Sequence, residues 1–168
     1  SAYNLLSFDC IDSTNAEARR QAIRGELIAP DGTLIWAKEQ TEGRGRRNRT
    51  WFSPPGNLYC SLILRPDVTL ARGAEFSFIA ALAMFDTLGS IGNAGNQVHL
   101  KWPNDILLNK RKVAGILLET EIKDGDVTDW IILGLGLNVE VFPSETDFPA
   151  TSLRSEGWDS TEIEALEF

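Results

Sequence analysis

An arginine-rich loop is the part of this sequence whose residue types most directly suggest chemistry. Residues 42–51 read EGRGRRNRTW and contain Gly43, Arg44, Gly45, Arg46, Arg47 and Arg49. Glycine allows tight turns and close approach to a ligand, and arginine offers a permanently charged planar fork that suits carboxylate and phosphate oxygens. The loop therefore predicts a local anion site. A solvated surface turn or a small RNA-contacting arm would have the same composition.

The loop does not match the established phosphate-binding motifs. A Walker A motif requires a closing Gly-Lys-Ser/Thr before a helix, and residues 50–56 instead read TWFSPPG, which predicts a turn. A dinucleotide-binding fingerprint would also need a following helix, whereas a strand is predicted over 57–65. The anion that this loop binds is therefore not identified by these motifs.

A second polar segment, KWPND at residues 101–105, ends a predicted strand. Pro103 lacks an N–H group and fixes the local bend. Asn104 and Asp105 can present oxygen ligands to a cation or to ribose hydroxyls, which makes Asp105 a candidate metal ligand. A plain turn at the end of a strand is also rich in Asn and Asp, so both interpretations are open.

A lysine and three glycines mark the two long strands that follow. Lys112 begins KVAGILLE, in which Gly115 would let a ligand approach the backbone. Gly134 and Gly136 lie two positions apart, and thus on one face of their strand, where they make room for either a helix or a ligand. An ordinary edge charge would explain Lys112, and close packing would explain the glycines.

Composition restricts the class of protein. The 168 residues suit one domain, and 43% hydrophobic content predicts a packed globule. A net charge of −8 disfavours general binding to nucleic acids or anionic membranes. Apolar runs such as 131–137 are far too short to span a bilayer. We therefore expect neither a nucleic-acid nor a membrane partner.

The histidine and cysteine content argues against several kinds of catalysis. His99 is the single histidine, which disfavours Ser-His-Asp, Cys-His and most zinc chemistry. Cys10 and Cys60 have no metal-ligand spacing and are expected to be reduced, buried thiols. No secretory signal is visible. We therefore expect a cytoplasmic protein whose chemistry depends on Arg and Lys charges.

The predicted elements give an α+β class with a mixed, mainly antiparallel sheet flanked by helices. Strands are expected over 4–8, 33–38, 57–65, 97–102, 112–122 and 129–139, and helices over 14–24, 71–91 and from 161. Thr14 and Glu17 have capping-box spacing, and the sequence DGD at 124–126 predicts a hairpin turn. The arginine loop, Lys112 and the glycines then lie at or near strand ends.

These motifs, taken in order, resemble the catalytic domain of biotin protein ligases, in the class II aminoacyl-tRNA/biotin synthetase-like fold shared with lipoate ligases. The matching segments are DSTN (12–15), QTEGRGRRNR (40–49), Trp51 with Ser53-Pro54, GNLY (56–59), KWPND (101–105), KVAGI (112–116) and GLGLN (134–138). The resemblance covers essentially the whole chain, which we expect to be one domain over 1–168. Lipoate ligases lack the arginine pattern.

The resemblance implies a reaction in which biotin is activated by ATP with Mg²⁺ and then transferred to a lysine of a biotin carboxyl carrier protein. It implies that Ser13, Thr14 and Gln40 contact biotin, with Asn15 beside them, while Arg44, Arg46 and Lys112 act in catalysis. Gly43 and Gly45 are part of the loop, and Arg49 is expected to contact phosphate. Trp51 is expected to form part of the adenine-side enclosure. The wall of the biotin pocket is expected to include Tyr59, Gly115 and Ile116. Asn104 and Asp105 are expected in the ATP–metal region, and Asn138 is expected to contact adenine. Lys101, Gly134 and Gly136 are further expected cofactor-binding residues.

The sequence departs from the family pattern in three ways. Asn48 stands where a third glycine is usual; Asn tolerates left-handed backbone better than most residues. No helix-turn-helix segment precedes the motifs, so a repressor type is not expected. The small C-terminal β-domain of many members is not seen after Phe168. Two alternative functions remain open: a lipoate- or octanoate-type ligase, and a biotin-binding homologue with weak turnover. A homodimer formed across a sheet edge also remains open.

Overall fold

The computed structural model describes residues 4–92, 95–159 and 161. Within these residues seven strands form one sheet in the order β1-β2-β3-β7-β6-β5-β4. The strands are β1 (Asn4–Phe8), β2 (Thr33–Ala37), β3 (Leu58–Leu64), β4 (Val98–Lys101), β5 (Asp105–Leu108), β6 (Arg111–Asp124) and β7 (Val127–Leu137). The pair β1–β2 is parallel and the remaining pairs are antiparallel. The predicted mixed, mainly antiparallel sheet is confirmed.

Helices cover both faces of this sheet. They are α1 (Thr14–Ile23), α2 (Leu70–Gly73) and α3 (Phe76–Ile91). On one face, Ala18 and Ala22 of α1 belong to a core with Trp130 and Ile132 of β7. On the other face, the buried side of α3 joins a second core that includes Leu137. Because side chains alternate along a strand, Gly134 and Gly136 continue the α1 face of β7.

Three details of the predicted elements were wrong. Ser13, and not Thr14, caps α1, because its side chain accepts a hydrogen bond from the Ala16 N–H. The predicted helix over 71–91 is two helices, α2 and α3, separated by a turn at 74–75. A hydrogen bond from Leu70 N–H to Asp126 O holds the start of α2 beside the β6–β7 turn. The strand β5 was missed: it begins at Asp105, the last residue of KWPND, and is held by pairing with β4 and β6.

The segment Leu70–Ile91 is long and apolar enough, by length and composition alone, to cross a membrane. The sequence prediction considered only uninterrupted apolar runs and did not identify it. In the fold, Ala81, Met84 and Leu88 of this segment are buried in the core beneath the sheet. The segment thus contributes one of its faces to the core of the domain.

Antiparallel pairing of the long strands β6 and β7 places the predicted site residues side by side. Gly115 lies opposite Gly136, and Leu117 lies opposite Gly134. The hairpin turn predicted at 124–126 is confirmed, with Gly125 at a φ of 61°. The helix predicted from residue 161 lies outside the described residues, apart from Thr161 itself.

Candidate functional site

One cavity of about 730 Å³ opens above the α1 face of the sheet. All predicted site residues except Gly43 and Tyr59 line it. These are Ser13, Thr14, Asn15, Gln40, Arg44, Gly45, Arg46, Arg49, Trp51, Lys101, Asn104, Asp105, Lys112, Gly115, Ile116, Gly134, Gly136 and Asn138. Segments that are distant in sequence therefore meet around a single space.

The start of α1 forms a polar end of this cavity. Ser13 and Thr14 are buried there, and the Thr14 N–H and hydroxyl both donate to Gln40 Oε1, at 2.8 and 3.1 Å. Asp12 accepts from the Ser13 N–H and pairs with Arg20, which lowers the pKa of Asp12 to about 2. Hydrogen-bonding groups at this end are thus held in fixed positions before any ligand enters.

Asn15 and Gly134 are explained by packing between α1 and the sheet. The Asn15 side chain donates to Glu119 Oε2 at 2.8 Å and accepts from the Ser61 hydroxyl at 2.6 Å. A Cβ atom at Gly134 would lie 2.0 Å from Asn15 Oδ1. Of the two interpretations of this glycine, the close approach of a helix applies.

Gly115 and Gly136 instead make room for the Trp51 indole ring. A Cβ atom at Gly136 would lie 2.5 Å from Trp51 Nε1, and one at Gly115 would lie 3.0 Å from the same ring. The two glycines face each other across β6 and β7, so together they form a flat slot. Trp51 lies in this slot and forms part of the cavity wall.

The arginine loop is a closed hairpin at the mouth of the cavity. Trp51 N–H donates to Gly43 O at 2.8 Å, and Gly45 N–H donates to Arg49 O at 2.7 Å. A 3₁₀ turn at 46–48 forms its tip, with Arg47 and Asn48 at φ values of 57° and 58°. Asn48 therefore adopts the left-handed conformation that the family glycine would favour.

All four arginines of the loop are exposed. Arg46 reaches across the cavity, since its Nη1 lies 3.4 Å from Asn104 Oδ1 in the KWPND turn. Exposed guanidinium groups along one rim can bind the oxygens of an anion that enters the cavity. This geometry agrees with the anion site predicted from the loop's composition.

Lys112 lines the cavity beside the KWPND turn and is held by an ion pair. Its Nζ is 2.7 Å from Asp105 Oδ1 and 5.1 Å from the centroid of the Trp51 ring. Its backbone is fixed as well, because Lys112 N–H donates to Pro149 O and Lys112 O accepts from Thr151 N–H. The ammonium is thus placed within the cavity and beside a carboxylate.

This ion pair bears on the predicted metal site. Asp105 is already paired with Lys112, and Asn104 Oδ1 with Arg46. Among the described residues, no group of three or more His, Cys, Asp and Glu side chains could hold a metal ion. A Mg²⁺ ion near Asp105 would therefore need most of its oxygen ligands from phosphates and water, as is usual for this ion.

Two predicted contact residues are engaged with the protein backbone. Asn104 donates to Ile116 O at 3.0 Å, and Asn138 donates to Thr151 O at 3.0 Å. Ile116 lines the cavity, but its buried side chain belongs to the core shared with α3. These residues hold the cavity walls together.

Gly43 and Tyr59 lie behind the cavity wall. A Cβ atom at Gly43 would lie 2.3 Å from Ser53 Oγ, so this glycine permits close packing at the base of the loop. Tyr59 is fully buried, donates to Pro54 O at 2.8 Å, and has a pKa raised by burial. Both residues support the site from outside it.

The sequence prediction missed one wall of the cavity. Residues 143–150 follow β7 without regular structure and contribute Pro143, Glu145, Thr146, Asp147, Phe148 and Ala150. Lys101 Nζ lies 3.4 Å from the centroid of the Phe148 ring, which holds this segment against the KWPND turn. This segment has no helical or strand periodicity, so the sequence pattern did not indicate that it lines the cavity. Phe52 and Trp102 were also missed as lining residues, and Arg47, named only as part of the loop, lines the cavity as well.

Comparisons with known proteins agree with this geometry. The family model of the biotin/lipoate A/B protein ligase family matches residues 7–138. The bifunctional ligase/repressor BirA of Bacillus spizizenii is 42% identical over 155 residues, covering 89% of this chain and 46% of that protein. The biotin–[acetyl-CoA-carboxylase] ligase of Paracoccus denitrificans is 42% identical over 135 residues, covering 79% and 53% respectively. The chain thus spans about half the length of these curated relatives.

Solved structures give the same result. Biotin protein ligase from Aquifex aeolicus, in complex with biotin and ATP, superposes with a TM-score of 0.75 at 32% identity, covering 98% of this chain and 66% of that one. The enzyme from Leishmania major, in complex with biotinyl-5-AMP, gives 0.71 at 29% identity, covering 98% and 70%. The fold predicted from the motifs is confirmed, and the chain belongs to the biotin/lipoate A/B protein ligase family.

Proposed function

We propose that this chain is the catalytic part of a biotin–[biotin carboxyl carrier protein] ligase. It would convert biotin and ATP into biotinyl-5'-AMP and pyrophosphate, and then transfer biotin to one lysine of a carrier domain. The observation that carries this proposal is the meeting of the arginine loop, Lys112 and the polar end at Thr14 and Gln40 around one cavity. The Paracoccus relative bears the name of this activity, and the Aquifex structure contains biotin and ATP.

The first step brings two anions together. A carboxylate oxygen of biotin attacks the α-phosphorus of ATP, a new P–O bond forms, and the bond to the β-phosphate oxygen breaks as pyrophosphate leaves. Positive groups that are already in place lower the barrier because they balance the charge on phosphate. Arg44, Arg46 and Lys112 all line this cavity and can supply such positive charge.

Asp105 has a positioning role in this scheme. It holds the Lys112 ammonium at 2.7 Å, and an ammonium has three donor hydrogens. Lys112 can therefore keep this carboxylate partner and still donate to a substrate carboxylate and an α-phosphate. A Mg²⁺ ion bound with ATP would supply further positive charge to the phosphates.

In the second step, the ε-amine of a carrier lysine attacks the acyl carbon of biotinyl-5'-AMP. An amide bond forms, the bond to the phosphate oxygen breaks, AMP leaves, and the amine gives up a proton. An acyl-adenylate hydrolyses easily, so a loop held closed over the mouth protects it from water. The carrier protein partner, a homodimer and a cytoplasmic location remain predictions of this proposal.

A mass-spectrometric assay tests the proposal directly. The chain is incubated with a biotin carboxyl carrier domain, biotin and Mg-ATP, and we expect the carrier mass to increase by one biotinyl group. Lys112→Ala should reduce pyrophosphate release at least a hundredfold, because this charge acts at the reacting phosphate. Lys123→Ala, an exposed change on the same strand, is the matched control and should leave the rate unchanged.

Three outcomes would contradict the proposal. Labelling of the carrier with lipoate or octanoate but not biotin would indicate the related acyl ligase. Tight biotin binding without pyrophosphate release would indicate a binding protein. Near-normal turnover of Lys112→Ala, with the fold intact by circular dichroism, would exclude the role given to this lysine.

A further inference from the structure

A chain of hydrogen bonds runs from the start of α1 to the base of the arginine loop. Gln40 Oε1 accepts from Thr14, and Gln40 Nε2 donates to Ser53 Oγ at 2.9 Å. Ser53 Oγ in turn donates to Trp51 O at 2.8 Å. In the sequence, Ser53 is recognisable only as part of the Trp51 and Ser53-Pro54 motif.

In this series of hydrogen bonds, the groups at the two ends, Thr14 N–H and Trp51 O, fix the direction of every bond. The Thr14 N–H can only donate, so the oxygen of the Gln40 side chain must face it. The amide nitrogen of Gln40 then faces Ser53, whose oxygen must accept. Trp51 O can only accept, so it takes the Ser53 hydroxyl proton. Ser53 therefore satisfies one donor and one acceptor at once, which alanine cannot do.

Ser53 lies outside the cavity although both of its partners line it. Its exposed fraction is 5%, and it is absent from the cavity wall that contains Gln40 and Trp51. Gln40 N–H also donates to Ser53 O at 3.1 Å, so the two residues close the base of the loop through backbone as well as side chains. Gly43 packs directly against Ser53 Oγ. Movement of Ser53 is thus restricted on several sides.

We propose that Ser53 is a positioning residue that fixes the orientation of the Gln40 side-chain amide at the polar end of the cavity. Ser53 Oγ accepts one hydrogen of Gln40 Nε2. Because the side-chain amide is planar, this bond also fixes the direction of the second hydrogen. This inference rests on the proposed function, in which the polar end binds biotin. Loss of Ser53 Oγ should therefore weaken biotin binding, while Lys112 and the exposed arginines remain in place for the phosphate chemistry.

The test compares Ser53→Ala with Ser152→Ala. Ser152 is fully buried, donates to the backbone oxygen of Glu140 at 3.1 Å, and lies outside the cavity wall, so it is a matched control. Pyrophosphate release is measured with biotin and ATP varied separately, and the thermal midpoint of each variant is recorded. We expect both variants to lose stability, whereas only Ser53→Ala raises the KM for biotin, by about tenfold for one lost hydrogen bond. Its kcat and its KM for ATP should change less than about threefold.

Several results would overturn this role. They are an unchanged KM for biotin in Ser53→Ala, an equal rise in Ser152→Ala, or a fall in kcat with KM unchanged. If Ser53→Ala does not fold, Ser53→Gly removes the same hydroxyl, and a KM for biotin equal to the wild-type value in that variant would contradict the proposal. If the wild-type chain releases no pyrophosphate, the proposed function fails. Calorimetry of biotin binding to the same variants then still tests Ser53.

Discussion

At the scale of single residues, the site depends on side chains whose partners fix their direction. Lys112 is held by Asp105, and Gln40 is held between Thr14 and Ser53. Such pairing reduces the number of orientations that must be restricted when a substrate binds. The remaining freedom lies in the exposed arginine loop, where Asn48 is the residue that departs from the family pattern.

Asn48 offers a test of how the loop closes. Its φ of 58° is unfavourable for residues with a Cβ atom and least so for Asn. Asn48→Ala should disfavour the closed loop by about 1 kcal/mol and raise the KM for ATP about fivefold. For Asn48→Gly, the KM for ATP should be equal to or lower than the wild-type value. Steady-state pyrophosphate release measures both. An alanine variant with a lower KM for ATP than the glycine variant would contradict this account.

At the scale of elements, the pairing of β6 with β7 decides where the cavity lies. Gly115 and Gly136 share a register position and a face, and the slot between them accepts Trp51. The adjacent Gly134 receives Asn15 of α1 in the same manner. A single strand pair therefore positions both the helix and the indole ring that border the cavity.

Gly136→Ala tests this arrangement. The new methyl group would lie 2.5 Å from Trp51 Nε1, so Trp51 must move, and we expect a loss of about 1–3 kcal/mol in the free energy of unfolding. The matched control is Gly89→Ala within α3, where a Cβ atom meets nothing within 4 Å and where alanine should stabilise the helix by up to about 1 kcal/mol. Urea denaturation measures both. Equal stabilities of the two variants would exclude the steric explanation.

At the scale of the whole molecule, burial separates two cysteines that looked alike in sequence. Cys60 is buried in the core with α3, and burial raises the pKa of its thiol to about 12. Cys10 is exposed, which makes the expectation that both are buried wrong for this residue. Cys10 follows β1, the strand at one edge of the sheet, and lies in the bend that leads to α1.

This difference predicts selective alkylation. At neutral pH, iodoacetamide should modify Cys10 in the native protein and leave Cys60 unmodified, because Cys60 is both protonated and shielded. Both thiols should react in denaturant, and intact mass distinguishes the two products. Cys10→Ser should remove the native reaction. Rapid labelling of that variant without denaturant would show that the core beneath the sheet is open.

The charged motifs and the class of fold could be recognised from the sequence alone. Charged motifs do not depend on periodicity, so the arginine loop, KWPND and Lys112 could be recognised before any element was assigned, and the antiparallel sheet followed from alternation and the turn at 124–126. Tertiary structure alone decided what those residues face. It separated Gly134, which receives a helix, from Gly136, which receives Trp51, because strand register sets what lies above each position. It also supplied the wall at 143–150 and the hydrogen bonds of Ser53, because contacts between distant segments leave no local pattern.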